Sequence, residues 1–295
     1  MTFSELSYNA INELIKAGIN DAKVDASLLI NEVFGVDRGF ILAHGDEEIS
    51  SDKYEVFNEL LARRVKREPL QHILGYQEFM GLRFKVNKDV LVPRFDTEVL
   101  VEETLKHLHD GMRILDMCTG SGCILTSLLY YSNECTGVGV DISEAALNVA
   151  RDNAYTLLKD KVDVKCSYVN SNLFDKIPKP SENNEFPYDE KFDIIISNPP
   201  YIESEVIATL DTEVKDYDPY IALDGGKDGL MFYRSIINSA DDYIKNGGLL
   251  IFEIGHNQGG AVSDIMNHQG FTDVNIVKDY AGYDRVVMGR IPFVV

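Results

Sequence analysis

Apolar residues recur every three or four positions through "SYNAINELIKAGI", "DAKVDASLLINEVFG" and "SDKYEVFNELLARRVKR", the spacing that gives a helix one dry face. Gly18, Gly35 and Gly45 follow these runs as stops. The pattern predicts a small helical bundle over residues 1–72. In "ILGYQEFMGLRFKVNKDVLVP" the period shortens: Phe79, Leu82, Phe84 and Val86, with Gly75 and Gly81, predict a β-hairpin connector over 73–90. From 91 to 295, short apolar runs alternate with amphipathic stretches, the pattern of a doubly wound α/β sheet. Strands are expected near 112–117, 135–141, 162–169, 192–198, 247–254, 271–277 and 284–289. The last two lie too close together for a helical crossover, so at least one must run antiparallel, which makes the seven-stranded sheet mixed. "KIPKPSENNEFPYDEK", Lys176 to Lys191, is polar and holds three prolines, as expected of a mobile surface loop.

Composition adds exclusions. With 45% hydrophobic and 26% charged residues the chain can bury a sizeable core. No apolar run approaches the roughly 20 residues of a membrane helix, and "MTFSELSYNAINEL" lacks the layout of a signal peptide; a cytoplasmic protein is expected. Cys118, Cys123, Cys135 and Cys166 form no CxxC pair, so they are expected to be reduced and no metal site is assigned. The net charge is −20, with −4 from residues 1–90 and −16 from the rest. A protein gripping nucleic acid needs a basic surface, so direct sequence-specific nucleic-acid binding is not expected. The basic run "ARRVKR", Ala62 to Arg67, reads either as a solvated helix face or as a docking surface for an acidic partner. His72, His256 and His268 are scattered and receive no catalytic role.

Three strand ends carry candidate chemistry. In "RILDMCTGSGCILTSLL", Arg113 to Leu129, a strand turns through small residues into a helix. Gly120 and Gly122 allow close backbone approach, and the helix N-terminus offers free N–H groups. Leu125 stands where a dinucleotide fingerprint wants its third glycine. Asp116 points instead to a nucleoside-plus-amino-acid cofactor whose ammonium it helps hold; the competing reading is a structural glycine turn. In "TGVGVDIS", Asp141 can accept both ribose hydroxyls of a nucleoside lying across the strand ends, or can cap the helix that starts near Ser143.

The third is "FDIIISNPPYI", Phe192 to Ile202. Asn198 offers a side-chain acceptor, while Pro199 and Pro200 stiffen the turn, give up two N–H donors and leave a carbonyl free to accept. Two acceptors facing one NH₂ group can hold a planar, weakly nucleophilic nitrogen in line with an electrophilic methyl. Tyr201 can stack on the flat group and place π density near a sulfonium. No general base is needed at first, because the leaving thioether is neutral. Glu253, at another strand end, reads as a hydrogen-bond anchor for a loop rather than a base.

Together these residues resemble a class I S-adenosylmethionine methyltransferase, Rossmann-like, acting on a planar amine or amide nitrogen. The flanks are more specific. "REPLQHILGYQEFMGLRFKVNKDVLVPRFDTEVLVEETL", "NPPYI", "ALDGGKDGLMFYRSI", "GGLLIFEIGHNQG" and "GYDRVVMGR" resemble the release factor glutamine methyltransferase family. The resemblance runs from about Arg67 to the end and extends in kind to the helical N-terminus. It implies N5-methylation of the glutamine in the Gly-Gly-Gln motif of bacterial peptide chain release factors, with S-adenosylmethionine as cofactor, residues 1–72 as substrate-docking domain, and a monomer. Carried over by position, the cofactor loop is Cys118, Thr119, Gly120, Ser121 and Gly122, supported by Asp116; Asp141 takes the ribose, and Leu173 or Phe174 covers the adenine. The glutamine meets Asn198, Pro199, Pro200 and Tyr201. Two departures stand out. Cys118 replaces a usual glycine, which implies a negative φ there or an altered loop, and "PRFDTE" leaves Phe95 and Asp96 without a role. The alternatives are an adenine-N6 nucleic-acid methyltransferase, disfavoured by the −16 balance, and a non-catalytic S-adenosylmethionine-binding module, disfavoured by the intact Asn-Pro-Pro-Tyr.

Overall fold

A computed structural model describes residues 1–161, 165–179 and 191–293. Most of the polar loop expected over Lys176–Lys191 and the start of the strand expected from 162 therefore lie outside the described residues. The chain divides into two compact units, one of residues 1–76 with 211–217, the other of 77–210 with 218–295.

The first unit contains α1 (Phe3–Lys16), α2 (Ala22–Phe34), α3 (Arg38–His44), α4 (Ser51–Val65) and α5 (Leu70–Leu74). Thr2 and Glu5 form a reciprocal capping box that starts α1, satisfying two N–H groups that a helix start leaves free. Phe3, Leu6, Ala10 and Leu14 then line its buried face and meet Leu29, Ile30, Phe57 and Leu61 in one core. Phe57 is fully buried, a contribution of roughly 2–3 kcal/mol from apolar area alone. Gly35 ends α2 in the left-handed region that favours glycine. Gly45, which also ends a helix, keeps an ordinary φ of −67°; it is small because an added Cβ would sit 2.0 Å from the Ser4 hydroxyl.

The basic run is divided: Ala62 and Lys66 are exposed, while its three arginines are engaged by carboxylates. Arg64 is buried and ion-pairs with Asp25 at 2.6 Å and with Glu213 at 3.0 Å. Arg67 joins Glu213 at 3.2 Å, and Arg63 pairs with Glu68. Burial raises the Asp25 pKa, against the lowering effect of Arg64. Arg64 is therefore the counter-ion that lets a buried carboxylate persist, and it recruits Glu213 from far along the chain.

The second unit is a seven-stranded sheet. Its strands, after the hairpin β1 (Tyr76–Phe79) and β2 (Leu82–Lys85), are β3 (Arg113–Met117), β4 (Thr136–Asp141), β5 (Lys165–Asn170), β6 (Phe192–Ser197), β7 (Ile244–Glu253), β8 (Thr272–Lys278) and β9 (Asp284–Arg290). The order is β5-β4-β3-β6-β7-β9-β8. β3 to β7 are parallel, and β9 runs antiparallel to both neighbours, the reversal that the short β8–β9 connection demands. Parallel strands covered on both faces carry apolar residues at nearly every position. Ile114, Ile194, Ile196, Leu249 and Ile251 point into one core, where α6 (Phe95–Leu105), α7 (Cys123–Tyr130) and α8 (Glu144–Leu157) pack. Leu115, Met117, Ile195, Leu250 and Phe252 point into the other. After α9 (Thr212–Lys215), which belongs to the first unit, that second face is covered by α10 (Met231–Tyr243) and α11 (Gly259–His268). Among the described residues, no helix is long and apolar enough to cross a membrane.

Candidate active site

Strand order reverses at β3, whose parallel neighbours are β4 and β6; at such a switch point the loops leave in opposite directions and open a crevice at the carboxyl ends. The register pairs Met117 with Ser197, so Cys118 and Asn198 begin the loops on either side of that crevice. Ser197 donates from its hydroxyl to the Met117 carbonyl, a cross-strand tie directly beneath both. A cleft opens there, lined by Cys118, Gly120, Asp141, Leu173, Asn198 and Pro200 among others, a concave and largely apolar surface with a few polar groups, the usual character of a ligand site.

The β3–α7 loop divides into residues that face the cleft and residues that hold the loop. Gly120 has φ +53° and open space where a Cβ would point, so a ligand can approach its backbone. Gly122, at φ +75°, has no such room: a Cβ would lie 2.9 Å from that of Ala150 and 3.2 Å from the Tyr168 hydroxyl. Gly122 thus lets α8 pack close and does not line the cleft. Thr119 and Ser121 are buried and are likewise absent from the lining. The Thr119 hydroxyl donates to Asp116 Oδ2 at 2.6 Å. Asp116 is fully buried and lies outside the lining; burial pushes its pKa up to about 7, against hydrogen bonds from Thr119 and Leu125 that lower it. Asp116 thus supports the loop through Thr119, while its Oδ1 is buried with no hydrogen-bond partner among the described residues. Asn153 of α8 reinforces the arrangement, its amide donating to the Ser121 carbonyl at 2.9 Å and to the Lys85 carbonyl at 3.0 Å, so the hairpin and the loop share one anchor.

Cys118 does not escape by a negative φ. It sits at +62°, the left-handed region where a side chain costs on the order of 1 kcal/mol, and burial raises its thiol well above the usual range. Leu173, at φ +47°, lines the cleft beside Asn172 and Ser171. Phe174 does not, since its ring stacks on Tyr243 at 4.4 Å.

Asp141 ends β4 with both oxygens engaged: Oδ2 accepts from the Gly120 N–H and Oδ1 from the Ser143 N–H, each at 2.9 Å. Burial raises its pKa and these backbone donors lower it. The cap of α8 is Ser143, whose hydroxyl accepts from the Ala146 N–H, so Asp141 is not spent as the cap. Each carboxylate oxygen keeps a lone pair for a hydroxyl in the cleft.

On the β6 side, Asn198 donates from Nδ2 to the Thr97 hydroxyl at 3.3 Å, leaving Oδ1 as its acceptor. The Pro199 and Pro200 carbonyls carry no backbone hydrogen bond among the described residues. Tyr201 and Pro199 are outside the cleft lining. Tyr201 is held at both ends, its carbonyl accepting from Gln258 at 3.0 Å and its hydroxyl donating to Glu253 Oε1 at 3.3 Å. Glu253 is buried, with its pKa pushed up to about 7 by desolvation while Thr97, Arg285 and Tyr201 lower it. Asp96 finds a role as the partner of Arg285 at 3.1 Å, and Phe95 begins α6 largely exposed.

Sequence reasoning missed the opposite wall, formed by Asp89, Val90 and Leu91 and by Pro219, Ile221 and Ala222. A signal existed in each case, since these residues flank or enter the stretches around "VPRFDTE" and "ALDGG", but no rule of spacing aims them at the crevice.

Comparison with known proteins agrees with this geometry. Residues 5–75 match the family model described as PrmC N-terminal domain, and residues 108–258 match a methyltransferase domain. The release factor glutamine methyltransferase of Clostridium botulinum is 39% identical over 98% of this chain and 99% of its own. That of Geobacter sulfurreducens is 38% identical over 94% and 93%. A methyltransferase structure from Pyrococcus furiosus superposes with a TM-score of 0.52 at 16% identity, covering 83% of this chain and all of that one, which attests the shared fold. With a glycine-opened crevice at the strand-order switch, an Asn-Pro-Pro-Tyr turn on its rim and near full-length identity of this order, the chain belongs to the release factor glutamine methyltransferase family.

Proposed function

We propose that the protein methylates N5 of the glutamine in the Gly-Gly-Gln motif of bacterial peptide chain release factors, using S-adenosylmethionine. The observation that carries this reading is the Asn198 carboxamide, which turns its donor to Thr97 and so has an acceptor to offer where two proline carbonyls are also unspent. The cleft fits the methyl donor: Asp141 keeps acceptor capacity at its mouth, Gly120 leaves the backbone approachable, and Leu173 supplies an apolar wall. Bound there, S-adenosylmethionine would supply a methyl group on a positively charged sulfur: the N–CH₃ bond would form as the S–CH₃ bond breaks and the neutral thioether leaves, and the methylated nitrogen would then lose its extra proton to solvent.

The residues do the rest by positioning. Asn198 Oδ1 and a proline carbonyl accept the two hydrogens of the glutamine NH₂, fixing the plane of the amide and the line of attack. Pro199 and Pro200 hold that turn stiff. Tyr201, pinned between Gln258 and Glu253, fixes the far end of the turn beside the amide without needing to ionise; burial raises its pKa further above the ordinary phenol range. Residues 1–72 serve as the unit that docks the body of the release factor, in keeping with their match to the PrmC N-terminal domain.

The test is direct. Incubated with methyl-labelled S-adenosylmethionine and a release factor, the protein should label the motif glutamine alone, as read by peptide mass spectrometry, and a factor carrying glutamate there should take no label. Faster labelling of adenine in DNA would favour the nucleic-acid alternative, and cofactor binding with no transfer to either would favour the binding module.

A further inference from the structure

We propose that Thr97 and Glu253 are positioning residues for methyl transfer, which together decide which end of the Asn198 carboxamide faces the glutamine. The inference rests on the reading of Asn198 as the acceptor for that substrate. A carboxamide is nearly symmetric in shape but opposite in hydrogen-bonding sense at its two ends. An alignment device built on Asn198 therefore works only if Oδ1, and not Nδ2, is turned outward, and something must enforce that choice.

The enforcing chain is visible in the second unit. Register pairs Ser197 with Phe252, so Asn198, the first residue after β6, and Glu253, the last of β7, come next on the two neighbouring stretches of the sheet. Thr97, in the first turn of α6, is buried, as is Glu253. Asn198 donates to the Thr97 oxygen, and the Thr97 hydroxyl lies near enough to the Glu253 carboxyl to favour its ionised form. Glu253 Oε1 accepts from Tyr201 at 3.3 Å, while Oε2 is buried with no hydrogen-bond partner among the described residues, an open acceptor on which the Thr97 proton can close. A threonine hydroxyl has one proton. While that proton is committed to the carboxylate, the oxygen can only accept, so Asn198 must turn Nδ2 inward and Oδ1 outward. A protonated Glu253 reverses the logic: it can donate to Thr97, which is then free to donate to Asn198 Oδ1, leaving an NH₂ group facing the substrate NH₂.

Burial pushes Glu253 up to about 7, so the directing form is gained as pH rises through neutrality. The charged and titratable groups that face this carboxyl are Arg285 of β9, Asp96 of α6 and Tyr201 of the turn, Tyr233 of α10, whose hydroxyl donates to the Glu253 carbonyl at 2.9 Å, and Cys123 of α7. Arg285 is already shared by Asp96 and Asp279, and burial and Glu253 itself raise the Tyr201 pKa. Within this group, Glu253 is the carboxyl that Tyr201 hydrogen-bonds and whose ionised form Thr97 favours.

A plain strand-end anchor would also tie down Tyr201, but it would not sense the direction of an amide. The discriminating experiment measures kcat against pH with the full-length protein, saturating S-adenosylmethionine and a release factor, for the parent, Glu253→Gln, Thr97→Val and Thr97→Ser. The parent should show a kcat that rises through a limb near pH 7. Glu253→Gln, whose amide can donate to Thr97 at any pH, should lose that limb and run at least about tenfold below the parent's plateau, with the KM for S-adenosylmethionine little changed. Thr97→Val should fall by at least about tenfold, and Thr97→Ser should recover to within about threefold of the parent. A limb that persists in Glu253→Gln, or a Thr97→Val variant as active as Thr97→Ser, overturns the proposal while leaving the substrate reading intact. A parent that does not label the release factor at all removes the substrate reading and this proposal with it. Should Glu253→Gln fail to fold, the two Thr97 variants, which add and remove no charge, decide the matter alone.

Discussion

Asp141 accepts a hydrogen bond from the Gly120 N–H at 2.9 Å, so the group that offers acceptors at the mouth of the cleft also holds the loop that forms its floor. Its other oxygen ties down the Ser143 N–H, and the end of β4, the β3–α7 loop and the start of α8 meet at one carboxylate. Removing it should therefore act twice, by losing charge-assisted hydrogen bonds to a ligand and by loosening the loop. Asp141→Ala should weaken S-adenosylmethionine binding by about 1.5–3 kcal/mol, measured by calorimetry. Unchanged affinity would remove Asp141 from the binding site.

Cys118 tests the backbone. At φ +62° a glycine is conformationally content, a cysteine pays a modest penalty, and a β-branched residue is an outlier. Cys118→Gly should leave unfolding free energy within about 1 kcal/mol of the parent, the relief of strain being offset by the greater freedom of the unfolded glycine chain. Cys118→Val should cost about 2 kcal/mol or more. Urea titrations of both variants check this, and equal stability for Val and Gly would show that the loop can abandon its left-handed turn.

Arg64 tests the first unit. With Asp25 and Glu213 drawn onto one buried guanidinium, Arg64→Leu strands at least one carboxylate in a low-dielectric setting. The expected cost is about 3–5 kcal/mol. Adding Asp25→Leu should return part of that loss, since the orphaned charge goes with it; a double variant no more stable than Arg64→Leu would count against a buried ion pair.

What the sequence made legible and what it concealed divide along a physical line. The parallel strands are legible because burial on both faces leaves an apolar run with no need of polar alternation. Asp141 and Asn198 were visible because each ends such a run, and a polar residue there must face the crevice or a loop. The β3–α7 loop was legible as a turn but not as a set of orientations: Thr119, Ser121 and Gly122 share the motif with Gly120, yet only the folded packing of α8 and Asp116 decides which of them looks outward. Contacts across long separations left no local trace. Arg64 finds Glu213 at a separation of 149 residues, and nothing in the composition of 211–217 marks it as part of the helical unit.

Three buried carboxyls predict how stability responds to pH. Burial raises Asp116 and Glu253 to about 7 and Asp218 to about 6, above the value of about 4 of an unfolded carboxyl. A group whose folded pKa is raised contributes stability that is fully present below its unfolded pKa and is lost as pH rises through the folded one. The melting temperature should therefore fall between about pH 5 and pH 8, a loss of at least ~1 kcal/mol, and Asp116→Asn should flatten the slope. Scanning calorimetry across that range checks it, and a melting temperature that rises steadily to pH 8 would contradict it.

The sharpest test falls on Asn198. If its carboxamide aligns the glutamine nitrogen and does not build the fold, Asn198→Ala should melt and bind S-adenosylmethionine much as the parent does, because the cross-strand ties of Ser197 and the apolar strand beneath it remain. Turnover should nonetheless fall by at least about a hundredfold, the loss expected when a contact that orients the attacking atom is removed. Asn198→Asp separates alignment from charge. Aspartate keeps an acceptor and the size, but it cannot donate to Thr97, and it places a negative charge near the cofactor sulfur, which is most positive before transfer. Cofactor affinity should therefore hold or increase while methyl transfer stays badly impaired. An Asn198→Asp variant that labels the motif glutamine at close to the parent's rate would show that the turn supplies shape alone, and that the acceptor for the substrate amide lies elsewhere in the cleft.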